Sequence, residues 1–308
     1  MKVLFVGLGS IGTRHLKNLN TIAQEKGLQV ESWALRSSDR PLPEDVRSLL
    51  AGEVRTLKEE DRFDAAFITN PTSLHFSTLG MLRGKVESLF IEKPIFDRTD
   101  VTLSECIAPG QKAYVAAPMR WCGVMLALKR RLASLKPYSA RVICSSYLPD
   151  WRPGVDYRTV YSAHRDMGGG VTIDLIHEWD YLVELFGKPL EMYNFKGTYS
   201  DLEIDSDDLS VYIARYPSML VEVHLDYFGR EYRRSLELFC KDGTVTADFG
   251  KGTLTLADGT VEHWDEPVNQ RYLREMDYFL DYAQSGIGES VNTPDTALDV
   301  LKLTLGEI

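Results

Sequence analysis

Cysteine is scarce: Cys106, Cys122, Cys144 and Cys240 are the only four in 308 residues, and no two form a C-x-x-C pair. Such spacing supports neither a metal site nor a disulfide framework, and reduced thiols in a cytosol are expected. Long hydrophobic runs are missing too; none approaches the roughly 20 residues of a membrane-spanning helix. The opening "MKVLFVGLG" has too short an apolar run for a signal peptide and enters a glycine turn directly, so it reads as a strand. Positive charge is in deficit, with 35 Lys+Arg against 45 Asp+Glu and a formal net charge of −10. A nucleic-acid partner would need a basic stripe. The one basic cluster, "KRRLASLK" from Lys129, reads as the solvated face of a helix. Internal repeats and low-complexity segments are absent. These absences lead to the expectation of a cytoplasmic protein with no nucleic acid, membrane or metal as partner.

What is present changes character near residue 120. Before it, the apolar runs "KVLFVG", "LQVESWAL", "DAAFITN", "ESLFIEK" and "KAYVAAP" alternate with helical patterns such as "SIGTRHLKNLNTIAQ". That alternation predicts a doubly wound parallel sheet. Beyond about residue 138, strand-like stretches follow one another through the turns "YPS", "KDG" and "ADG", which predicts a mostly antiparallel sheet. Helices near 171–186 and 270–285 are expected to flank it, and a last helix to start near Thr293 or Asp295. The expected architecture is α/β: an N-terminal dinucleotide-binding Rossmann domain (1–120) and a C-terminal α+β domain (121–308), with a cleft between them.

The glycines carry the first chemical signal. Gly7, Gly9 and Gly12 stand in G-x-G-x-x-G spacing directly after a strand and at the opening of a helix. Gly7 permits the tight turn, Gly9 lets backbone approach a pyrophosphate, and Gly12 lets helix and strand pack closely. Ser10 and Ile11 lie at the helix start, whose N–H groups face the phosphates. The second strand ends in Arg36, Ser37 and Ser38, where an NAD site usually has an acidic residue. A guanidinium and two hydroxyls suit a 2′-phosphate, so NADP is preferred over NAD.

A second signal is "GGGVTIDLIHEWD" (168–180). Val171, Ile173, Leu175, Ile176, Trp179, Leu182, Val183, Leu185 and Phe186 surround this helix, so it should be buried. Asp174, His177, Glu178 and Asp180 would then be costly unless paired or facing a site. Glu178 and Asp180 are expected to form structural pairs.

With "GLGSIGTRH", "TNPTSLH" and "IEKP" in register, the chain resembles the glucose–fructose oxidoreductase / inositol dehydrogenase / rhizopine-catabolism (Gfo/Idh/MocA) family over essentially its whole length. The resemblance implies that Glu92, Lys93 and Pro94 lie beside the nicotinamide, with a proline that is often cis. It implies that Thr69, Asn70, Pro71 and His75 border the cofactor, and that Arg120 of "APMRW" lies near the cleft. The family's aspartate stands four residues before the histidine; here Ile173 holds that place and Asp174 precedes His177 by three, a spacing similar to a subgroup of sugar-modifying members. Residues three apart are still neighbours on a helix.

Oxidising a sugar alcohol sends a hydride to nicotinamide and leaves a proton for the protein to manage. His177 fits a general base or acid, Lys93 a stabiliser of the alkoxide, and Asp174 an orienter of the imidazole or a ligand of a substrate hydroxyl. The long segment 146–170 offers Tyr147, Trp151, Arg152, Tyr157 and Arg158 as carbohydrate contacts. The expected protein is an NAD(P)-dependent sugar oxidoreductase assembling as a homodimer or homotetramer through its second sheet. A redox-neutral lyase or glycosidase of the same architecture and a non-catalytic dinucleotide sensor are the rivals; a sensor needs neither Lys93 nor His177.

Overall fold

A computed structural model describes residues 1–285 and 288–307. They divide into two compact units, Met1–Pro118 with Val268–Asp299 and Met119–Pro267 with Val300–Ile308.

In the first unit, β1 (Lys2–Val6), α1 (Ser10–Glu25), β2 (Glu31–Leu35), α2 (Glu44–Arg47), β3 (Gly52–Val54), β4 (Phe63–Ile68), α3 (His75–Leu82), β5 (Val86–Ile91), α4 (Leu103–Cys106) and β6 (Lys112–Val115) follow in turn. The strands form a sheet in the order β3-β2-β1-β4-β5-β6, with every neighbouring pair parallel. This is the doubly wound topology predicted from the alternation. The central strands are continuous apolar runs because helices cover both faces. Phe5 stacks on Phe67 at 4.6 Å and Phe67 on Phe90 at 4.9 Å, which fixes the register of β1, β4 and β5 with an aromatic column.

The second unit contains α5 (Gly123–Arg131), β7 (Ser139–Tyr147), α6 (Val171–Asp174), α7 (His177–Phe186), β8 (Glu191–Gly197), β9 (Leu209–Arg215), β10 (Leu220–Asp226), β11 (Phe228–Cys240), β12 (Gly243–Asp248), β13 (Thr253–Thr255) and β14 (Val261–His263). Helices α8 (Asn269–Gln284) and α9 (Pro294–Leu305) close the chain. The second sheet runs β14-β13-β12-β11-β7-β10-β9-β8. It is antiparallel except for the parallel β7–β10 pair. "YPS", "KDG" and "ADG" are hairpin turns as expected. Alternation along the strands buries Val142, Cys144, Tyr212, Val221, Val223, Leu236 and Leu238 on one face, where Trp179 of α7 meets Tyr212 edge-on at 5.2 Å. The opposite face leaves Tyr193, Phe195, Ile213 and Leu220 exposed, Phe195 at 72%.

Two expectations need correction. The helix near 270–285 does not flank the second sheet: α8 belongs to the first unit, and its Met276, Phe279 and Leu280 are buried with Phe67 and Phe90. A helical period reveals a buried stripe but not the surface it meets. The helix over 171–186 is two helices, broken at Leu175 (φ −97°, ψ 29°). Asp174, at the break, is anchored through its side chain to Tyr161 and Tyr227, which turns the chain before α7 begins. Strands β3 and β8 also went unread, because "GEV" is too short and "EMYNFKG" too polar to alternate cleanly. The last helix starts as expected: the Thr293 hydroxyl accepts from the N–H of Thr296, with Pro294 at the first helical position. No helix among the described residues is long and apolar enough to cross a membrane.

Truncating Phe279 to alanine should destabilise the first unit by about 3–5 kcal/mol. Amide hydrogen exchange of the Phe279→Ala variant should quicken in α1, β4 and β5 and stay unchanged in β7 and β10. The reverse pattern would mean that α8 braces the second sheet.

Candidate active site

The β1–α1 turn is built around close backbone approach. Gly7 has φ +97°, which disfavours any side chain. A Cβ on Gly12 would stand 2.2 Å from the Gly7 carbonyl oxygen and 2.7 Å from Thr69 Oγ1, so helix and turn can meet this closely only with glycine there. Thr69 ties the same turn to β4, donating its hydroxyl to the Val6 and Gly7 carbonyls. By contrast, none of the described residues lies within 4 Å of the Cβ position of Gly9. Helix α1 starts beyond it with no side-chain cap and no acidic residue in its first turn. Its first N–H groups and dipole therefore point into open space, which suits an anion.

That space is a cavity of about 1020 Å³ beside the β1/β4 switch point of the sheet, at the upper end of ligand-pocket sizes. Of the predicted cofactor residues, Gly7, Gly9, Ser10, Arg36, Ser37, Ser38, Asn70 and Pro71 line it. Ile11, Gly12, Thr69, His75, Glu92, Lys93 and Pro94 are outside that wall. Thr13, Lys17, Arg40, Arg55 and Met81 join it without having been singled out. Thr13 and Lys17 were within reach, because they continue the Ser10 face of α1 at helical spacing. Arg40 and Arg55 come from loops without periodicity. Arg36 donates to Glu53 at 3.0 Å and to the Arg40 carbonyl, while Arg55 bonds Asp39 at 2.5 Å.

His75 is a brace for this wall. It is buried, with Nδ1 at 3.0 Å from the Ile95 carbonyl and Nε2 at 3.0 Å from the Asn70 carbonyl. Burial pushes its pKa down, and the two carbonyls oppose that shift. Asn70 is held in turn by donating to Thr78 Oγ1 at 2.8 Å. The end of β5 carries "EKP", with a cis Lys93–Pro94 bond. Glu92 is buried and bonded to His15. Lys93, the next residue, is half-buried.

In the second unit Asp174, Glu178 and Asp180 find partners. Asp174, 8% exposed, accepts from the Tyr161 hydroxyl at 2.7 Å and the Tyr227 hydroxyl at 2.5 Å. Burial, and then the Asp174 charge, push both phenols upward, so each stays a donor. Glu178 takes Arg234 in two bonds of 2.7 and 3.1 Å. Asp180 takes Arg120 in two bonds of 2.9 and 2.7 Å, and Glu184 takes its third nitrogen at 2.7 Å. Glu178 and Asp180 are therefore the structural pairs expected of them. Arg120 lies in a 3₁₀ turn, not at the end of a strand, and spends its fork on two carboxylates. His177 is half-buried at the start of α7.

The segment 146–170 is a chain of short 3₁₀ turns. Trp151 meets Tyr227 edge-on at 5.2 Å and donates to Ser146 Oγ. With Arg152 and Tyr157 it lines a small recess. Tyr147 lies under the Arg230 guanidinium at 3.7 Å. Arg158 is exposed and paired with Asp156 and Glu203. Burial pushes the Cys106 thiol up to about 11 and that of Cys144 higher, so neither is a thiolate nucleophile at neutral pH.

Fold and cradle together define a dinucleotide-binding α/β protein with a second, sheet-based unit. Residues 1–111 match the oxidoreductase family with an NAD-binding Rossmann fold. Over these residues, about a third of the chain, it is similar to the Gfo/Idh/MocA oxidoreductases. Along its length it is similar to the myo-inositol 2-dehydrogenase of Thermotoga maritima, at 24% identity over 328 residues, covering 98% of this chain and 93% of that protein. A levoglucosan dehydrogenase solved with NADH and levoglucosan superposes with a TM-score of 0.82 at 13% identity, covering 99% of this chain and 95% of the other. An Agrobacterium radiobacter oxidoreductase solved with NAD⁺, L-tartaric acid and magnesium gives 0.81 at 17% identity, covering 100% and 95%. These structural likenesses establish the shared fold.

Removing Arg120 would leave the buried Asp180 carboxylate without its two-pronged partner, while Glu184 would keep Lys129. Arg120→Met should cost about 3–5 kcal/mol of stability and leave NADH affinity within twofold, measured by chemical unfolding and by titration of the nucleotide fluorescence. A large loss of NADH affinity at unchanged stability would return Arg120 to the cofactor.

Proposed function

We propose that this protein transfers a hydride between a nicotinamide dinucleotide and a hydroxyl-bearing carbon of a carbohydrate-class molecule: a sugar, sugar acid or nucleotide sugar. The observation that carries the reading is the uncapped α1 terminus opening on the cavity at the sheet's switch point. The relatives' activities on myo-inositol and levoglucosan support the substrate class. The first unit (1–120 in the sequence reading, with α8 added) serves the cofactor, and the second serves substrate and self-association.

When bound, the nicotinamide accepts or returns the hydride. The protein's own task is the hydroxyl proton. His177 is assigned as the base that takes it during oxidation and returns it during reduction. Lys93 supplies the positive charge that favours an alkoxide. Asp174, fixed by two phenols, presents a carboxylate of set orientation to the imidazole or to a substrate hydroxyl. Trp151, Arg152, Tyr147 and Tyr157 are proposed to contact the sugar. Arg158 can join them only by leaving two acidic partners.

NADP(H) is the proposed preference. Arg36, Ser37, Ser38, Arg40 and Arg55 line the cavity beyond β2. Asp45, the acid among the lining residues, is held by Lys17, and Glu53 and Asp39 are held by Arg36 and Arg55. The exposed face of the second sheet is proposed to pair with a second copy. Its apolar Tyr193, Phe195 and Ile213 lie beside the Arg141–Glu222 pair, a mixed pattern that a twofold axis can make self-complementary.

The test is a panel of free, acidic and nucleotide-linked sugars with NADP⁺ or NAD⁺, following nicotinamide absorbance and product mass together. Net reduction should occur with at least one sugar. It should fall about 10²–10⁴-fold in His177→Ala, the range of a lost acid–base group, with a comparable fall in Lys93→Met. Arg36→Ala should lower the NADP⁺/NAD⁺ ratio of kcat/KM about tenfold, a loss near 1.4 kcal/mol. Product without net reduction would favour the redox-neutral enzyme, and tight nucleotide binding with no product the sensor.

A further inference from the structure

The two signature segments of the first unit end on residues that the proposed chemistry leaves idle. His15 closes "GLGSIGTRH" on α1, and Glu92 opens "EKP" at the end of β5. They meet: His15 Nε2 lies 2.6 Å from Glu92 Oε1 across 77 residues of chain. His15 is fully buried and Glu92 is 8% exposed. The other carboxylate oxygen accepts the backbone N–H of Lys93 at 3.0 Å. Burial alone would raise the Glu92 carboxyl, but the His15 hydrogen bond, the charges of His15 and Lys93 and the Lys93 N–H hold it below the usual value.

The surroundings make a packing role for His15 hard to sustain. Its ring sits among Phe90, Phe67 and Tyr272 with centroids 4.7, 6.1 and 6.1 Å away, and its Nδ1 has no hydrogen-bond partner among the described residues. A leucine would fill such a box without burying a polar atom at a cost of about 1–3 kcal/mol. The imidazole is worth that cost only if its single bond matters, and that bond goes to the carboxylate gripping the Lys93 backbone. Other charged and titratable groups nearby are Arg14, which lies over Tyr272 at 4.7 Å, and Tyr272 itself, with Glu275 and Arg271 beyond.

We propose that His15 is a positioning residue for Lys93. It holds the Glu92 carboxylate in the one orientation that receives the Lys93 N–H, and so fixes the backbone from which the Lys93 side chain departs. Because His15 lies on α1, the brace also ties Lys93 to the helix whose N-terminus lines the cavity. Its catalytic consequence rests on the role given to Lys93 above, whereas the brace itself does not.

Two amide substitutions separate the brace from simple packing. In His15→Gln the side-chain amide nitrogen reaches the place of Nε2, while in His15→Asn it stops near that of Nδ1. Amide exchange at Lys93, read by NMR on the full-length protein, should stay within threefold of wild type in His15→Gln and accelerate at least tenfold in His15→Asn. On a substrate found with the panel, kcat should fall at least tenfold in His15→Asn and recover to within threefold in His15→Gln, with KM and NADH affinity within twofold throughout. Unchanged Lys93 exchange in His15→Asn would overturn the brace. Accelerated exchange with unchanged kcat would overturn its service to Lys93. If His15→Asn does not fold, Glu92→Leu, which removes the acceptor while His15 stays, must show the same tenfold acceleration, and its absence overturns the proposal. A wild-type protein inactive on every sugar counts against the oxidoreductase reading, while the exchange data still decide the brace.

Discussion

The nucleotide-binding unit depends on one contact, the approach of Gly12 to the Gly7 carbonyl. A Cβ there would stand 2.2 Å from that oxygen, inside any allowed van der Waals distance, so the sequence has no alternative to glycine. This approach lets α1 start directly over the end of β1. Its free N–H groups then face the cavity, and its next turn carries His15 back to Glu92 at the end of β5. The aromatic column of Phe5, Phe67 and Phe90, closed edge-on by Phe279 at 5.3 Å from Phe67 and 5.2 Å from Phe90, keeps the strands that present those ends in register.

In the second unit the governing constraint is charge under burial. Helix α7 carries Glu178 and Asp180 inside the fold, and each is met by a two-pronged arginine, Arg234 and Arg120. Such pairs contribute little net stability against an apolar substitute, but losing one partner is costly. They hold α7 at one rotation about its axis. That rotation determines where His177, its first residue, projects. Asp174 is clamped independently by Tyr161 and Tyr227, so the helix break fixes the two residues through separate networks.

Where the physics is local, the sequence disclosed it. Apolar runs bounded by turn residues marked most strands, and the G-x-G-x-x-G spacing marked the cradle because each glycine answers a backbone demand within a few residues. Features arising from distant pairing stayed hidden. Nothing near Arg36 announces Glu53, nothing in "TRH" announces Glu92, and nothing in "YLREMDYFLDY" says that its buried stripe meets the first sheet. Arg120 sits in a motif that the family resemblance placed near the cleft, yet its partners, 60 and 64 residues on, occupy its guanidinium. The break at Leu175 was illegible for the same reason, since the tyrosines that hold Asp174 lie 13 and 53 residues away.

Whether the open terminus of α1 takes the diphosphate of a nicotinamide dinucleotide is decided by titrating the full-length protein with NADPH and NADH, with Gly9→Val as the comparison. None of the described residues lies within 4 Å of that Cβ position, so the substitution fills the cradle without disturbing the packed contacts of Gly7 and Gly12. The wild type should bind saturably and the variant should lose at least about 100-fold in affinity, near 2.7 kcal/mol, with an unchanged circular dichroism spectrum. Equal affinity in both proteins would contradict that binding mode.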